Sequence, residues 1–506
     1  MRKLIRLLTS RLFWAALAIV IQFLLFAYLI FWASFEHNSY LIFMALSIIM
    51  SFAVFTRDED PSYKTVWIFL IAILPVFGGV LYLVMANKKL GYFSRKKTQQ
   101  FRKTLPDSNA YTEATGDILE SIAPEYRKLS SFIKNKTGLS AWLDTECRYF
   151  VYADEFFLDV ISEVRKASKF IFIEYFIIGD GHWWNLILAE LVKKVEEGVD
   201  VRVIYDDLGS INCLPAYYDR KLSAMGIKAV AFNRVRFHMN PRLNFRDHRK
   251  IFCIDGNTCY TGGLNIADEY SNDEIRFGYW KDNAVKFYGP AVWNFTYLFL
   301  EMWNGVANAN DDLRLFVPTV TGSTSGFIQP FGDSPLDTET ITKDVYLQII
   351  CSAKEYVWLM TPYLVPDSTF ISALKMAAES GVDVRIITPH YPDKKTVFEV
   401  TRSNYLPLLK AGVRIYEYIP GFIHSKTFIA DDEIAIVGTT NIDYRSFYLH
   451  FELSVLFMLS SIVSDVKDDF LKTFEMSEEQ TVGKVSHVGI FRRMARYFLR
   501  LFSPAL

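Results

Sequence analysis

The chain has 506 residues, which is too long for one compact domain and long enough for two cores and an accessory segment. Its 55 lysines and arginines balance 56 aspartates and glutamates, so the formal charge of −1 excludes a global basic field that would draw the whole chain to nucleic acid. Hydrophobic residues make up 51% of the sequence, which predicts that part of the chain lies in or on a bilayer.

The first predicted element is a membrane anchor within residues 1–104. Residues 12–35 form an apolar run that only Gln22 interrupts before the final serine, and its length matches the hydrocarbon core of a bilayer. A cleaved signal peptide is the alternative, but the apolar run is too long for one. Two further runs, 40–56 and 66–86, are apolar enough to enter the membrane. The anchor therefore has two or three hydrophobic segments.

Basic residues flank this anchor on both sides, and the positive-inside rule places such residues in the cytoplasm. Four precede the first run and seven follow the third: Arg2, Lys3, Arg6 and Arg11, then Lys88, Lys89, Arg95, Lys96, Lys97, Arg102 and Lys103. Both ends are cytoplasmic only if two runs span and one lies in the interface or re-enters. We expect a multi-pass protein of a cell membrane, with the chain after the anchor in the cytoplasm.

After about residue 145 the sequence repeats itself. Residues 198–204, GVDVRVI, correspond to 381–387, GVDVRII, and residues 225–232 correspond to 411–418. An apolar strand-like run and an amphipathic helix precede these segments in both copies. The alternation of strand and helix predicts two α/β/α halves with mainly parallel sheets.

Each half carries an H-x-K-x4-D motif with an asparagine ten residues beyond the aspartate. The first copy comprises His248, Lys250, Asp255 and Asn265, and the second comprises His424, Lys426, Asp431 and Asn441. All four residues recur at one offset of 176 residues. About 0.02 accidental matches are expected in a chain with this histidine content, so two matches with the same flanking residues are not accidental.

The spacing indicates which residues react. Residues two apart in a strand face the same side, so the histidine and lysine of each motif place a nucleophile beside a cation. Asp255 and Asp431 complete the motifs at an odd spacing and in turn-like sequences, and we expect them to hold hairpins. Asp282 and Glu452, further downstream, are expected to orient the imidazoles. The other six histidines, among them His450, are expected to be ordinary surface or core residues.

The sequence resembles the phospholipase D superfamily in its HRK and HSK motifs with trailing GGLN and GTTN. It resembles the bacterial cardiolipin synthases more narrowly, in NFRDHRK (244–250), YTGGLNIADEY (260–270), YDDLGS (205–210), TPYLVPD (361–367) and LFSPAL (501–506). The resemblance covers nearly the whole chain. It implies a duplicated phospholipase D-type fold, and we place the first catalytic half at residues 105–310 and the second at 311–480.

The resemblance also implies a mechanism. His248 would attack the phosphorus of phosphatidylglycerol, and His424 would protonate the departing glycerol and then deprotonate the acceptor. The non-bridging oxygens would be held by Lys250, Lys426, Asn265 and Asn441. No cofactor or metal is expected, because two lysines supply the neutralisation. The expected reaction joins two phosphatidylglycerol molecules into cardiolipin; a hydrolytic phospholipase D, another phosphatidyltransferase and a membrane-tethered nuclease are the alternatives.

The chain ends in a segment, 481–506, that is expected to form a basic amphipathic helix on anionic lipid. Its arginines are Arg492, Arg493, Arg496 and Arg500. A helix packed on the body with a solvated basic face is the alternative. A second basic cluster, which either gathers lipid headgroups or forms a solvated loop, comprises Arg234, Arg236, Arg242 and Arg246. No basic stripe covers the catalytic body, so nucleic acid is not an expected partner; the oligomeric state stays open.

Overall fold

The structure is a computed structural model. It describes residues 20, 21, 24, 28, 37–57, 59–74, 77–85, 101, 110–235, 244–337 and 339–503. Most of the run 12–35, the basic residues on both sides of the anchor, and Arg236 and Arg242 lie outside the described residues.

Three helices form the described N-terminal part: α1 (His37–Phe55), α2 (Pro61–Ile73) and α3 (Phe77–Met85). Asp60 starts α2 by accepting hydrogen bonds from two backbone amides of its first turn. The three helices share a small core with Tyr444 of the second half, whose ring stacks on Tyr63 at 5.6 Å. Among the residues described, none of the helices combines the length and the apolar character needed to cross a membrane.

The first repeat follows, with two helices in front of it and a long one behind. In chain order its elements are α4 (Ala110–Ile122), α5 (Pro124–Thr137), β1 (Glu146–Phe150), α6 (Ala153–Lys166), β2 (Phe170–Tyr175), α7 (His182–Glu196), β3 (Asp200–Asp206), α8 (Tyr218–Ala224), β4 (Lys228–Phe232), β5 (Arg246–Asp247), β6 (Lys250–Ile254), β7 (Thr258–Gly262), β8 (Tyr279–Lys281), β9 (Ala284–Tyr288) and α9 (Val292–Ala307).

The second repeat begins after a short 3-10 turn, Leu313–Phe316. Its elements are β10 (Phe327–Asp333), α10 (Ile341–Ser352), β11 (Tyr356–Met360), β12 (Leu364–Val365), α11 (Ser368–Glu379), β13 (Asp383–Pro389), α12 (Lys395–Ser403), α13 (Tyr405–Lys410), β14 (Arg414–Tyr418), β15 (Gly421–Ile423), β16 (Thr427–Ala430), β17 (Ile434–Gly438), β18 (Ile442–Asp443), α14 (Tyr444–Tyr448), β19 (His450–Met458), α15 (Ser461–Glu475) and β20 (Ser477–Gln480). Two C-terminal helices follow, α16 (Val482–Ser486) and α17 (Ile490–Leu501).

The predicted duplication of an α/β unit is confirmed, but the prediction of mainly parallel sheets is wrong. The first sheet has the order β1-β9-β7-β6-β2-β3-β4 and the second has β10-β19-β17-β16-β11-β13-β14-β20. Only β2-β3-β4 and β11-β13-β14 are parallel, and the other pairs on these paths are antiparallel. Helical crossovers connect the parallel strands, whereas the motif strands are joined by tight turns, which connect antiparallel neighbours. The turn residues Asp255, Asp431 and Asp432 have the left-handed φ angles of 54°, 52° and 60°.

The two halves are joined by exchanged strand pairs and a shared core. Strand β5 of the first half pairs with β19 of the second, and β15 of the second half pairs with β8 of the first. Helix α9 is buried between the sheets, where Phe295 and Phe299 join side chains of both halves. Each buried aromatic of this kind contributes about 2 kcal/mol. Helices α4 and α5 precede the first repeat but pack on the second sheet, since Leu119 of α4 and Ile133 of α5 lie in its core.

The C-terminal segment differs from both arrangements expected for it. Helix α17 packs on α12 by its basic side, where Arg492 and Arg496 donate hydrogen bonds to Glu399. Its apolar side chains face outward, and Phe491 is 85% exposed while Phe498 is 60% exposed. Arg492 and Arg496 are thus held against the protein by the partly buried carboxylate of Glu399, and the lipid contact of this segment stays a prediction.

Candidate active site

The first motif histidine is oriented by a carboxylate of the second half. His248 lies between β5 and β6, and its backbone N–H donates to the Phe451 carbonyl at 2.9 Å. Its Nδ1 lies 2.9 Å and 3.1 Å from the carboxylate oxygens of Glu452 on β19. Glu452 is fully buried and also accepts a hydrogen bond from Thr439. This carboxylate fixes Nδ1 as the donor and leaves Nε2 with a free lone pair.

The second motif histidine has the reciprocal arrangement. His424 follows β15, and its backbone N–H donates to the Lys281 carbonyl at 2.7 Å. Its Nδ1 lies 2.6 Å from Asp282 Oδ2, which belongs to the first half. Each histidine is thus oriented by the half that does not contain it.

The glycines after each motif let these carboxylates approach. A Cβ on Gly263 would lie 1.9 Å from Asp282 Oδ1, so only glycine fits there. At the same repeat position the second half has Thr439, whose hydroxyl donates to Glu452. A Cβ on Gly438 would lie 2.4 Å from a backbone oxygen of the neighbouring strand β19, which carries Glu452. The glycines of the GGLN and GTTN sequences are needed because the strand or loop that supplies each carboxylate packs directly against them.

The motif lysines are buried and donate to the histidine backbones. Lys250 Nζ donates to the His248 carbonyl at 2.9 Å. Lys426 Nζ donates to the His424 carbonyl and lies 2.8 Å from His424 Nδ1. Burial lowers the pKa of Lys250 to about 8, against Glu452 and Asp282, which raise it. Burial lowers the pKa of Lys426 to about 7, and the charge of Lys250 adds to that effect.

The pKa values of the two motif histidines are lowered by burial and by the charges of the same lysines. Burial, followed by the charges of Lys250 and Lys426, holds the pKa of His248 well below its usual value. Burial and Lys426 lower the pKa of His424 to about 4, although Asp282 opposes them. Burial raises the pKa of Asp282, but His424 and Lys426 outweigh it and the net pKa lies below the ordinary value. The site therefore concentrates positive charge in a place that solvates it poorly, which favours an anionic ligand.

Both histidines line one cavity of about 610 Å³ between the halves. Aromatic rings hold the imidazoles in place: Phe176 lies 4.9 Å from His248, and Trp280 lies 5.3 Å from His424 between ring centres. The remaining wall includes Asn265, Tyr270, Arg276, Tyr363, Lys394, Phe422, Asn441, Asp443, Arg445 and His450. Two oriented imidazoles facing one cavity, above two buried ammonium groups, can divide nucleophilic attack and proton transfer at one phosphorus.

The motif aspartates lie away from the cavity. Asp255 accepts hydrogen bonds from three successive backbone amides, of Ser168, Lys169 and Phe170, at 2.7 to 2.9 Å. Asp431 accepts the equivalent three bonds from the amides of Lys354, Glu355 and Tyr356, at the start of β11. In both halves the aspartate ties the motif hairpin to the start of the central strand.

The two asparagines predicted to hold phosphate oxygens both line the cavity but differ in their bonding. Asn265 donates to the Tyr270 hydroxyl at 2.6 Å and accepts from the Ile177 amide at 3.1 Å, so both ends of its amide are engaged. Asn441 Oδ1 is buried without a hydrogen-bond partner among the described residues.

One functional-site residue was missed by sequence reasoning. His450 lies beside His248, with ring centres 5.7 Å apart, and its Nδ1 is 3.4 Å from Glu452 Oε1. Burial lowers the pKa of His450 to about 3. A usable signal was present, because residues 450 and 452 are two apart in a strand and must share a face. Together His248, His450 and Glu452 offer ligand atoms within 4.8 Å of one another, so these are the described residues that could hold a metal ion.

The comparisons with known proteins match this architecture. The family described as "Cardiolipin synthase, PLD-like domain" matches residues 160–286 and 346–474, and "Phospholipase_D-nuclease N-terminal" matches residues 42–86. "Cardiolipin synthase 2" of Bacillus anthracis is 35% identical, over 92% of this chain and 91% of its own length. A Streptococcus mutans relative described as "Uncharacterized protein" is 39% identical, over 87% of this chain and 96% of its own length.

Among solved structures, phosphatidylserine synthase of Haemophilus influenzae is 14% identical with a TM-score of 0.55, covering 75% of this chain and 98% of that one, which shows a shared fold. The duplicated fold and its paired histidine motifs define an enzyme of the phospholipase D type. With two matched domains over half the chain and relatives above 30% identity, the chain belongs to the cardiolipin synthase family of that superfamily.

Proposed function

We propose that this chain forms cardiolipin by transferring the phosphatidyl group of one phosphatidylglycerol to a glycerol hydroxyl of another, with release of glycerol. The observation that supports this function most strongly is that His248 and His424 face one cavity. The Nδ1 of each is hydrogen-bonded to a buried carboxylate of the opposite half. The relatives that bear the name cardiolipin synthase support this choice of lipid substrates.

In the first step His248 Nε2 attacks the phosphorus of the donor lipid. A P–N bond forms while the P–O bond to glycerol breaks, and His424 gives its proton to the departing oxygen. In the second step a hydroxyl of the acceptor lipid attacks the phosphorus, His424 takes the hydroxyl proton, and the P–N bond breaks. Glu452 stabilises positive charge on His248 during attack, and Asp282 does so for His424 when it is protonated.

The bound phosphodiester itself supplies the charge that His424 needs. Burial and the charge of Lys426 lower the pKa of His424 to about 4, so the imidazole is neutral at pH 7. A phosphodiester anion between the histidines offsets the charges of Lys250 and Lys426, which raises the pKa of His424. Proton uptake on binding therefore prepares the general acid only when substrate is present.

The outward apolar side of α17 favours a membrane-bound lipid as the substrate. Its exposed side chains are Ile490, Phe491, Met494, Tyr497 and Phe498. Ser503, just after this helix, lines the catalytic cavity, and Phe502 packs 6.3 Å from Phe69 of α2. Apolar rings that enter the bilayer next to the cavity would present the site to lipid headgroups. An anchor within residues 1–104, spanning more than once with both ends cytoplasmic, is part of this proposal, as are the boundaries 105–310, 311–480 and 481–506.

The test is incubation of the purified, detergent-solubilised chain with labelled phosphatidylglycerol in the presence of EDTA. Cardiolipin and free glycerol are the expected products. Phosphatidic acid alone would instead identify a hydrolytic phospholipase D. The variants His248→Ala and His424→Ala should lose turnover, whereas His487→Ala, which changes an exposed histidine outside the cavity, should retain it. Full turnover in either motif variant would refute the mechanism.

A further inference from the structure

Two cations in the cavity wall have no carboxylate within 4.0 Å among the residues that the structure describes, although both are near enough to Asp443 for their charges to oppose burial, which raises its pKa. Arg445 on α14 is partly buried, and its Nε donates to His450 Nε2 at 3.3 Å. Lys394, just before α12, is exposed at the rim, and its ammonium lies 5.3 Å from the ring centre of Tyr363. Both side chains line the same cavity as the motif histidines.

The other cations of this wall are already neutralised. Arg246 pairs with Asp206 at 3.2 Å. Arg276 pairs with Glu269 at 3.2 Å and with Glu274 at 2.9 Å. Arg445 and Lys394 therefore carry the charge that is available to an anion entering from outside.

The nearby carboxylates are occupied by neutral donors. Asp443 accepts from the Ser446 amide at 2.8 Å and caps α14. Asp393 accepts from the Tyr363 hydroxyl at 2.5 Å. Neither forms an ion pair with Arg445 or Lys394, so both cations keep their capacity to bind an anion.

The position of Arg445 matches a second phosphate and not the reacting one. The ring of His450 lies between Arg445 and His248, and its centre is 5.7 Å from that of His248. The hydrogen bond of the guanidinium thus goes to His450 and not to His248, whose ring is the one that attacks the reacting phosphorus. An acceptor phosphatidylglycerol brings its own phosphodiester, which three glycerol carbons separate from the attacking hydroxyl.

We propose that Arg445 and Lys394 form an acceptor subsite that binds the non-reacting phosphate of the incoming phosphatidylglycerol. This inference rests on the proposed function. The subsite places the terminal hydroxyl against the phosphohistidine, which raises its effective concentration over that of water. Water carries no negative charge and is not bound by the two cations, so these side chains favour transfer over hydrolysis.

The experiment measures two reactions of the same full-length protein. Exchange of labelled glycerol into phosphatidylglycerol reports formation and breakdown of the phosphohistidine with a neutral acceptor. Cardiolipin formation reports attack by an anionic acceptor. Because a charge-assisted hydrogen bond is lost, Arg445→Gln and Lys394→Gln should each lower cardiolipin formation at sub-saturating lipid by about 10- to 100-fold, and change exchange by less than about threefold.

Two further variants control the charge and the fold. Arg414→Gln removes an arginine that pairs with Glu479 on the surface outside the cavity, and it should leave the ratio of the two reactions unchanged. Arg445→Lys keeps the positive charge and should recover part of the cardiolipin formation. If Arg445→Gln unfolds, the exposed Lys394 position carries the test alone.

The outcomes separate the two proposals. Equal losses in exchange and cardiolipin formation would overturn the acceptor subsite, since the residues would then serve the donor phosphate or the fold. Unchanged cardiolipin formation in both glutamine variants would overturn it as well. A wild-type protein that exchanges glycerol but makes no cardiolipin would instead refute the proposed function.

Discussion

Replacing Asp282 with asparagine tests whether the carboxylate of one half governs the histidine of the other. Asp282→Asn keeps the shape of the side chain but removes the charge 2.6 Å from His424 Nδ1. A hydrogen bond to a charged partner is worth about 1.5–3 kcal/mol, which corresponds to about 10- to 100-fold in rate. The loss reaches about 10⁴-fold if the amide holds the imidazole in the wrong tautomer. We therefore expect kcat for glycerol release to fall by at least about 10-fold.

The pH profile gives this prediction a second readout. Asp282 raises the pKa of His424, so its removal lowers that pKa further. The limb of the kcat profile that depends on protonated His424 should move to lower pH. Glu452→Gln is the matched variant at His248 and should also lower kcat. Glycerol release within about threefold of wild type in both variants would refute orientation by the exchanged carboxylates, since even a neutral hydrogen bond is worth about that much.

Three further perturbations have defined outcomes. Burial raises the pKa of Asp333 to about 7, so the folded state binds this proton more tightly than the unfolded chain does. The free energy of unfolding therefore falls as the pH rises from about 4 to 7. Asp333→Asn should raise the melting temperature at pH 8 and not at pH 4. Asp255→Ala removes three backbone hydrogen bonds and should cost about 3 kcal/mol in unfolding by denaturant, with kcat per folded molecule retained. The double variant Phe491→Ser, Phe498→Ser is made in the chain lacking residues 1–104, and its binding to anionic vesicles is measured by sedimentation. The binding free energy should weaken by about 3 kcal/mol.

Each of these perturbations has a contrary result. An equal gain in melting temperature for Asp333→Asn at both pH values would exclude a raised pKa as the cause. A loss of kcat for Asp255→Ala at unchanged stability would assign that aspartate to the chemistry. Undiminished vesicle binding by the double serine variant would exclude α17 as a lipid contact; Leu315→Ser, which changes an exposed apolar residue elsewhere, is the matched control and should bind as wild type does.

The sequence was sufficient to predict those residues of the site that occur in both halves. The offset of 176 residues located both histidine and lysine pairs, because identical hairpins need identical spacing. Asp282 and Glu452 could be named as orienting carboxylates, but their partners could not, since the pairing depends on how the halves dock. The spacing of two residues could have linked His450 to Glu452, but its position beside His248 arises only where β5 meets β19. The sequence also could not predict that the apolar side of α17 faces outward. The orientation of this helix is set by Glu399, which lies on α12, about 90 residues earlier in the chain.

The exchange of carboxylates between halves has a consequence for biosynthesis of the chain. During translation the first motif emerges with His248 long before Glu452 leaves the ribosome, and the nascent first half has no carboxylate on the Nδ1 of His248. The second half is equally incomplete without Asp282. Catalysis can begin only after nearly the whole chain has been made and the halves have docked. The paired site is in this way incomplete until the two halves have folded against each other.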